Sequence, residues 1–484
     1  MLLIFILSIL FFGIIVLSFI PEKSNLFLRQ FSLGLTSIVF LLSLVLWVGF
    51  DNSISKFQYV SSSLWLPVAN INLVLGVDGI SLFYILLTTF LFPICILSSW
   101  SFEKGSIKTY LFSFLSIELI LLLVFTVIDL LLFYIFFEAV LIPMYLVIGI
   151  YGSRQRKVRA AYMFFLYTLL GSLFMLLGIV YISLLVGSTD YEVLSTFTFS
   201  SYDEKWLWLA FFASFAVKVP MLPLHIWLPE AHAEAPTAGS VVLAGILLKL
   251  GSYGFLRFSL GLFPLASIYF TPLIFTLSLL GIIYPSLTAI RQTDLKRLIA
   301  YTSVAHMNLV MVGIFSGSAS GIEGAILQSI SHGFVSSALF LIIGVLYERS
   351  HSRLIRYYGG LVYTMPIFTA IFLLFTMSNL GLPGTSSFVG EYFILLSAFK
   401  ANTTLSFLAA TSMVLGGGYS LWVFNRIAYG NIKTTGVDLT LREFCIFLPL
   451  ALGTLFLGIY PMGCLSSMHA TVTELVLISL ESCI

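Results

Sequence analysis

The feature that most constrains this chain is a succession of apolar runs, each about twenty residues long, cut only by short segments of charge, glycine or proline. A helical run of that length matches the hydrocarbon thickness of a bilayer. The runs fall near 2–20, 30–50, 79–100, 109–127, 128–150, 160–186, 206–230, 237–260, 265–290, 296–316, 323–347, 364–400, 404–428 and 444–464. They predict an all-α polytopic membrane protein with about 14 transmembrane helices. At 484 residues, 60% hydrophobic and 9% charged, the sequence leaves no room for a soluble catalytic domain. The first run lacks a basic leader and a small-residue cleavage site, so it reads as a span and not as a signal or transit peptide. The tail after Pro461, with Glu474 and Glu481 among apolar residues, reads as an interfacial helix.

The placement of charge tests that assignment. Alternate loops hold Lys23 and Arg29; Lys104 and Lys108; Arg154, Arg156, Lys157 and Arg159; Arg291, Lys296 and Arg297; Arg349, Arg353 and Arg356; and Arg426, Lys433 and Arg442. The opposite loops hold little beyond Lys56, Lys205 and Lys400. A missed span would scramble this alternation, so an even count is expected, with both termini facing away from the positive side. Cys95, Cys445, Cys464 and Cys483 stand singly on apolar stretches and read as small apolar filler; no disulfide framework and no metal site is expected. No GxxxxGK[ST] and no strand followed by GxGxxG occurs, so neither ATP nor a dinucleotide should bind, and no nucleic-acid partner is expected. Two histidines on neighbouring spans could in principle hold a haem, but the second pair and the small-residue pocket are missing. Membrane lipids are the one partner that composition itself implies.

Function must be sought where polar groups enter the apolar runs. The stretch from Trp206 to Phe258 carries Lys218, Lys249, His225, His232, Glu230, Glu234 and four prolines. An ammonium near mid-bilayer costs about 3 kcal/mol on insertion scales, so a buried lysine is a functional candidate by default. Pro220 and Pro223 follow Lys218, remove backbone donors and should break the seventh span. Irregular backbone at that depth survives only beside protein or a water-filled cavity. A second break is expected at Gly381, Pro383 and Gly384, with Glu391 following it. The breaks at Pro220 and Pro383 lie about 160 residues apart, which is close to five spans. An odd number of spans inverts the second unit, so two inverted five-helix repeats with discontinuous helices 7 and 12 are expected. The implied division is an N-terminal three-helix segment 1–108, a first inverted repeat 109–260, a second 261–428, and a C-terminal helix with its interfacial tail 429–484. Glu118 and Glu138 lie inside the fourth and fifth spans, and His306 and His332 inside the tenth and eleventh. A carboxylate that is alone when neutral and held charged beside a lysine can load and release a proton, and histidine can pass one between its two nitrogens. A static ion pair and a core histidine bonded to a carbonyl remain open for the same residues.

The strings LLLFYIFFEAVLIPMYLVIGIYGSRQRK, FFASFAVKVPMLPLHIWLPEAHAEAPTAGSVVLAGILLKLGSYGFLRF, RQTDLKRLIAYTSVAHMNLV, SHGFVSSALFL and LPGTSSFVGEYFIL closely resemble the antiporter-like membrane subunits of NADH:ubiquinone oxidoreductase, respiratory complex I. The resemblance is weakest over the first 75 and last 40 residues. It implies fourteen spans with inverted five-helix repeats, Glu138 and Lys218 as a charge pair, Lys249 as central relay and Glu391 as outlet-side group. Glu118 is similar to an auxiliary acid, and His225, His306 and His332 to auxiliary relay positions. Related subunits 2 and 5 mostly carry lysine where this chain has Glu391, which selects the subunit 4 branch. The resemblance implies proton transfer along this row, driven electrostatically by quinone reduction elsewhere. It places NADH, FMN, iron–sulfur clusters and ubiquinone in other subunits, with none in this chain. It further implies partnership with membrane-arm subunits, especially the antiporter-like subunits 2 and 5, and a mitochondrial inner membrane location, a bacterial plasma membrane being the alternative. Moving one charge against 100 mV costs about 2.3 kcal/mol, comparable with the effect of a two-unit pKa change, so such a switch is energetically credible. Two other readings are a subunit of a multi-subunit cation/proton antiporter and a non-pumping structural subunit of the arm.

Overall fold

The computed structural model describes residues 1–484 except 67–70, 102–104, 434–435 and 482–484. Lys104 and Cys483 therefore lie outside the described residues. The chain is mostly helical, at 79%. Its long helices are α1 (Leu2–Phe19), α2 (Asn25–Val48), α3 (Gly79–Ser98), α4 (Ile107–Thr126), α5 (Leu130–Tyr151) and α6 (Lys157–Val186). After the short helix Tyr191–Thr196 come α7 (Ser201–Lys218), α8 (Trp227–Glu234) and α9 (Thr237–Leu262). Then follow α10 (Pro264–Ile290), α11 (Leu295–Ile314), α12 (Ala319–Ser350), α13 (Pro366–Asn379) and α14 (Ser386–Ala401). The chain ends with α15 (Thr403–Ala428), α16 (Leu441–Ile459) and α17 (Met462–Glu481).

Among the described residues, 13 helices are long and apolar enough to cross a membrane. They comprise every expected run except the two broken ones, and α17 besides. Helix starts coincide with residues able to accept from free backbone donors: Asp78 before α3, Asp129 before α5, Ser318 before α12 and Thr440 before α16 each receive such a bond. Pro264 and Pro366 open α10 and α13, where a missing N–H costs nothing.

Burial grades the helices by position. In α9 the whole most-apolar window is inside the protein, and in α12 94% of it, against 33% in α6. α9 and α12 thus form the centre, while α6 turns Leu170, Leu177 and Leu184 outward, as a lipid-facing helix must. Gly251 of α9 lets it lie against α7, since a Cβ there would stand 2.9 Å from Phe215 O.

Three features depart from the sequence expectation. The connection between α2 and α3 forms an antiparallel hairpin, Gln58–Leu66 paired with Ile71–Val77, with Ser61 opposite Leu75 and Ser63 opposite Leu73. Val74 O accepts from Ile128 N at 3.0 Å, which ties the hairpin to the α4–α5 connection. Helix α2 begins five residues before the expected position 30, taking Arg29 into its first turns. Lys296 and Arg353, expected in exposed basic loops, are 1% and 2% accessible. Their segments fold under the C-terminal end of α8, where its free carbonyls need donors: Lys296 Nζ donates to Ala235 O at 2.8 Å, and Arg353 donates to Ala233 O.

Helix α17 meets the starts of α3 and α12. Its Ser467–Thr471 segment lies against Gly79 at the start of α3, and His469 pairs with Glu323 near the start of α12 at 2.6 Å. Glu474 shares a cavity with Lys56, Asp78, Tyr191 and Arg257. Of the cysteines, Cys95 and Cys464 are buried as apolar filler would be, but Cys445 is exposed on α16.

Candidate functional site

The seventh run is interrupted at the two prolines. Helix α7 closes with Val219 N donating to Phe215 O at 2.8 Å and Met221 N to Ala216 O at 2.9 Å, after which no ladder is possible through Pro220 and Pro223. Side chains take over the freed carbonyls: Trp227 Nε1 donates to Val217 O at 3.0 Å, and Asn308 Nδ2 to Pro220 O at 3.4 Å. Lys218 ends α7 at 2% exposure, its Nζ 4.5 Å from the centre of the Phe137 ring and without a hydrogen-bond partner. Glu138 follows Phe137 in the chain, and its Oε1 is likewise unpartnered. The two groups are neighbours, but no ion pair within 4.0 Å joins them among the described residues.

Lys249 sits between two π-helical segments of α9, Leu243–Leu247 and Phe255–Ser259. The wide turn frees a carbonyl in mid-helix, and Lys249 Nζ donates to it, Ala244 O, at 2.6 Å. On its other side Nζ meets His332 Nδ1 of α12 at 2.8 Å. The His332 ring centre lies 5.9 Å from that of His306 on α11, and His306 Nδ1 is 3.3 Å from Glu391 Oε1 on α14. Gln328 Nε2 donates to the same carboxylate oxygen at 3.1 Å. The second break sets Glu391: Gly381 adopts φ +74°, and a Cβ there would stand 2.6 Å from Glu391 Oε2.

Four elements therefore bring Lys249, His332, His306 and Glu391 into one string, buried except at the partly buried His306. An ammonium bonded to an imidazole nitrogen can hand over a proton, and the imidazole can release one from its other nitrogen. His332 Nε2 and His306 Nε2 are both buried and without a hydrogen-bond partner.

A family profile described as NADH:quinone oxidoreductase/Mrp antiporter, TM, matches residues 127–416, which contain the whole string. The NADH-ubiquinone oxidoreductase chain 4 of Arabidopsis thaliana is 58% identical over 468 residues, covering 96% of this chain and 94% of that one. This chain belongs to the NADH-ubiquinone oxidoreductase chain 4 family. The chain 4 of Marchantia polymorpha is 56% identical over the same shares. A chain of respiratory complex I from Thermus thermophilus with bound NADH superposes with a TM-score of 0.91 at 31% identity, over 99% of this chain and 100% of that chain.

Four of the residues singled out in the sequence stand apart from the string: Glu138 and Lys218, described above, and His225 and Glu118. His225 lies in the break, its ring centre 6.2 Å from Tyr284 and 6.4 Å from Tyr301, and its Nδ1 has no hydrogen-bond partner among the described residues. Glu118 is fully buried in α4 with neither carboxyl oxygen hydrogen-bonded. The structure also gives a place to residues that the sequence assigns no role. His232 is fully buried, stacked 4.6 Å from Phe340, with both nitrogens unpartnered. Lys296 and Arg353 hold the end of α8 on which His232 stands. The signal was present: the helix stops before Pro236, and its last carbonyls in a low-dielectric setting demand donors. Among the described residues no group of three His, Cys, Asp or Glu side chains is arranged to hold a metal ion.

Proposed function

We propose that this chain is the antiporter-like, proton-translocating subunit of the membrane arm of NADH:ubiquinone oxidoreductase, passing protons along Glu138, Lys218, Lys249, His332, His306 and Glu391. The observation that carries the reading is the Lys249–His332–His306–Glu391 string, in which Lys249 meets His332 and His306 meets Glu391, the two imidazole ring centres standing 5.9 Å apart. Family membership supplies the context: redox chemistry, with its nucleotide, flavin, iron–sulfur and quinone sites, belongs to other subunits, and the neighbours are membrane-arm subunits such as the antiporter-like 2 and 5. Relatives from land plants at 56–58% identity, against 31% for the bacterial structure, support the mitochondrial inner membrane over a bacterial plasma membrane.

Fourteen crossings in inverted repeats, with α7/α8 and α13/α14 as the discontinuous seventh and twelfth, are supported by two breaks that each stand beside a buried titratable residue. The open arrangement of Glu138 and Lys218 is one setting of an electrostatic switch. When a neighbouring charge draws Glu138 toward Lys218 the ammonium is held; when it is released, the proton moves toward Lys249. Glu118, bare and buried, supplies a further protonatable site, since an ionised carboxylate there would need water or a cation beside it. A free-standing cation/proton antiporter is disfavoured by the chain 4 relationship, and an inactive scaffold by the direct contacts of Lys249 with His332 and of His306 with Glu391.

The test is proton pumping against NADH oxidation in membrane vesicles carrying Lys249→Ala, with assembly of the complex followed on native gels. The complex should assemble, while pumping and coupled oxidation collapse together. An assembled variant that pumps normally removes the row as the conducting path.

A further inference from the structure

Gln328 of α12 touches the end of the string, and the row gives it no part. It is 1% exposed, and its Nε2 donates to Glu391 Oε1 at 3.1 Å, the same oxygen that His306 Nδ1 approaches to 3.3 Å from α11. Its own carbonyl oxygen, Oε1, is buried and has no hydrogen-bond partner. The backbone of Gln328 is clamped. A Cβ on Gly390, the residue before Glu391, would stand 2.7 Å from Gln328 N and 2.8 Å from its Cα, so α14 lies directly on α12 here. One turn further along α12, His332 Nδ1 meets Lys249 Nζ at 2.8 Å. Helix α12 therefore carries both the partner of the lysine and the amide that touches the carboxylate.

The bare carbonyl sets Gln328 apart from a static partner. A group that only held an ionised Glu391 would need donors alone, whereas an amide brings an acceptor that this site leaves unsatisfied. That acceptor gains a use when Glu391 is neutral. A protonated His306 can break its Nδ1–H bond while an O–H bond forms at Glu391 Oε1; imidazolium becomes imidazole, carboxylate becomes acid, and atoms and charge balance. Glu391 Oε1 now donates, so the amide N–H no longer faces a negative charge. The terminal amide torsion of glutamine is broad and roughly two-fold, so turning it over exchanges Nε2 for Oε1 with almost no change of shape. Gln328 Oε1 then accepts from the new O–H and draws it off His306 Nδ1, which opposes return of the proton. Once Glu391 has passed the proton on, donation by Nε2 to the carboxylate restores the first setting.

We infer that Gln328 is a positioning residue for proton transfer at Glu391, its amide donating to the carboxylate and, turned over, accepting from the acid. This rests on the proposed function, which makes Glu391 the group that takes the proton from His306. The test uses the assembled complex in vesicles with Gln328→Met, which keeps the length of the side chain and removes both polar ends. Pumping per assembled complex should fall about tenfold or more, the effect of losing one hydrogen bond to a charged group. In infrared difference spectra taken on adding NADH, the carboxylic-acid C=O band that Glu391→Gln removes should move to higher frequency, because the acid O–H has lost its acceptor. A purely structural role would leave that band in place. Unchanged pumping, an unmoved band, or no such band in the parent complex overturns the role. If Gln328→Met fails to assemble, Gln328→Asn, which draws the amide back by one methylene, decides by the same two readouts. Lys249→Ala run alongside separates the two claims: if it loses pumping while Gln328→Met pumps normally, the row stands without Gln328; if it pumps normally, the row falls and the role of Gln328 with it.

Discussion

Substituting Gly381 tests how finely the carboxylate of Glu391 must be set. In Gly381→Ala the new methyl would start 2.6 Å from Glu391 Oε2, whereas ordinary contact begins near 3.4 Å, so the carboxylate must retreat by about 0.8 Å. Its bonds to Gln328 at 3.1 Å and His306 at 3.3 Å would then lengthen beyond hydrogen-bonding range. Losing a bond to a charged group costs about 1.5–3 kcal/mol, and a left-handed alanine adds about 1 kcal/mol. Gly384→Ala is the matched control. Gly384 has φ +93° in the same break, but a Cβ there would meet nothing within 4 Å, so only the backbone cost of about 1 kcal/mol applies. Both variants would be assembled, heated in steps and assayed for recovery on native gels, with proton pumping measured on the intact fraction. Gly381→Ala should show the larger stability loss and a marked loss of pumping, Gly384→Ala a small stability loss and normal pumping. Equal pumping by the two would refute the argument that Glu391 must touch His306.

Other consequences follow from single contacts. Arg349 makes a bidentate pair with Glu443, at 3.0 and 2.8 Å, joining the end of α12 to the start of α16; Arg349→Ala should destabilise this region by about 1–3 kcal/mol, since Glu443 keeps its bonds from Thr440, read as reduced heat tolerance of the assembled complex. His469 pairs with Glu323 at 2.6 Å, but its side chain is 65% exposed, so His469→Ala should leave heat tolerance unchanged within about 1 kcal/mol. Trp227→Phe removes the donor that satisfies Val217 O beside Lys218 and should cost about 1–3 kcal/mol, with pumping reduced because the break loosens; a variant as stable and active as the parent would show that another donor replaces it.

The membrane-spanning runs were legible because hydropathy acts residue by residue over lengths the bilayer fixes. The breaks at Pro220 and Pro383 were legible for a local reason too, the missing donor. So were Lys218, Lys249, His306, His332 and Glu391, since an ionisable residue within an apolar run stands out unaided. What joins them was hidden. That His332 meets Lys249 and His306 meets Glu391 depends on how α9, α11, α12 and α14 pack, and on a π-helical turn whose cause is tertiary. Lys296 and Arg353 were misplaced because charge was counted by position along the chain, while the segments bearing them fold inward to serve the end of α8. The hairpin was hidden because its first strand is serine-rich and its second runs almost wholly apolar without alternation, and its stability comes from pairing and from the α4–α5 connection. Arg257 could have been found: an arginine inside the eighth apolar run needed a carboxylate, and Asp78 is that partner.

The most direct test of the central claim is a double-mutant cycle on pumping with Lys249→Ala and Glu391→Gln. Groups in series along one path are each indispensable, so the double variant should pump no worse than the weaker single variant. Losses that multiply, as for two residues acting independently, would contradict a single path from Lys249 to Glu391.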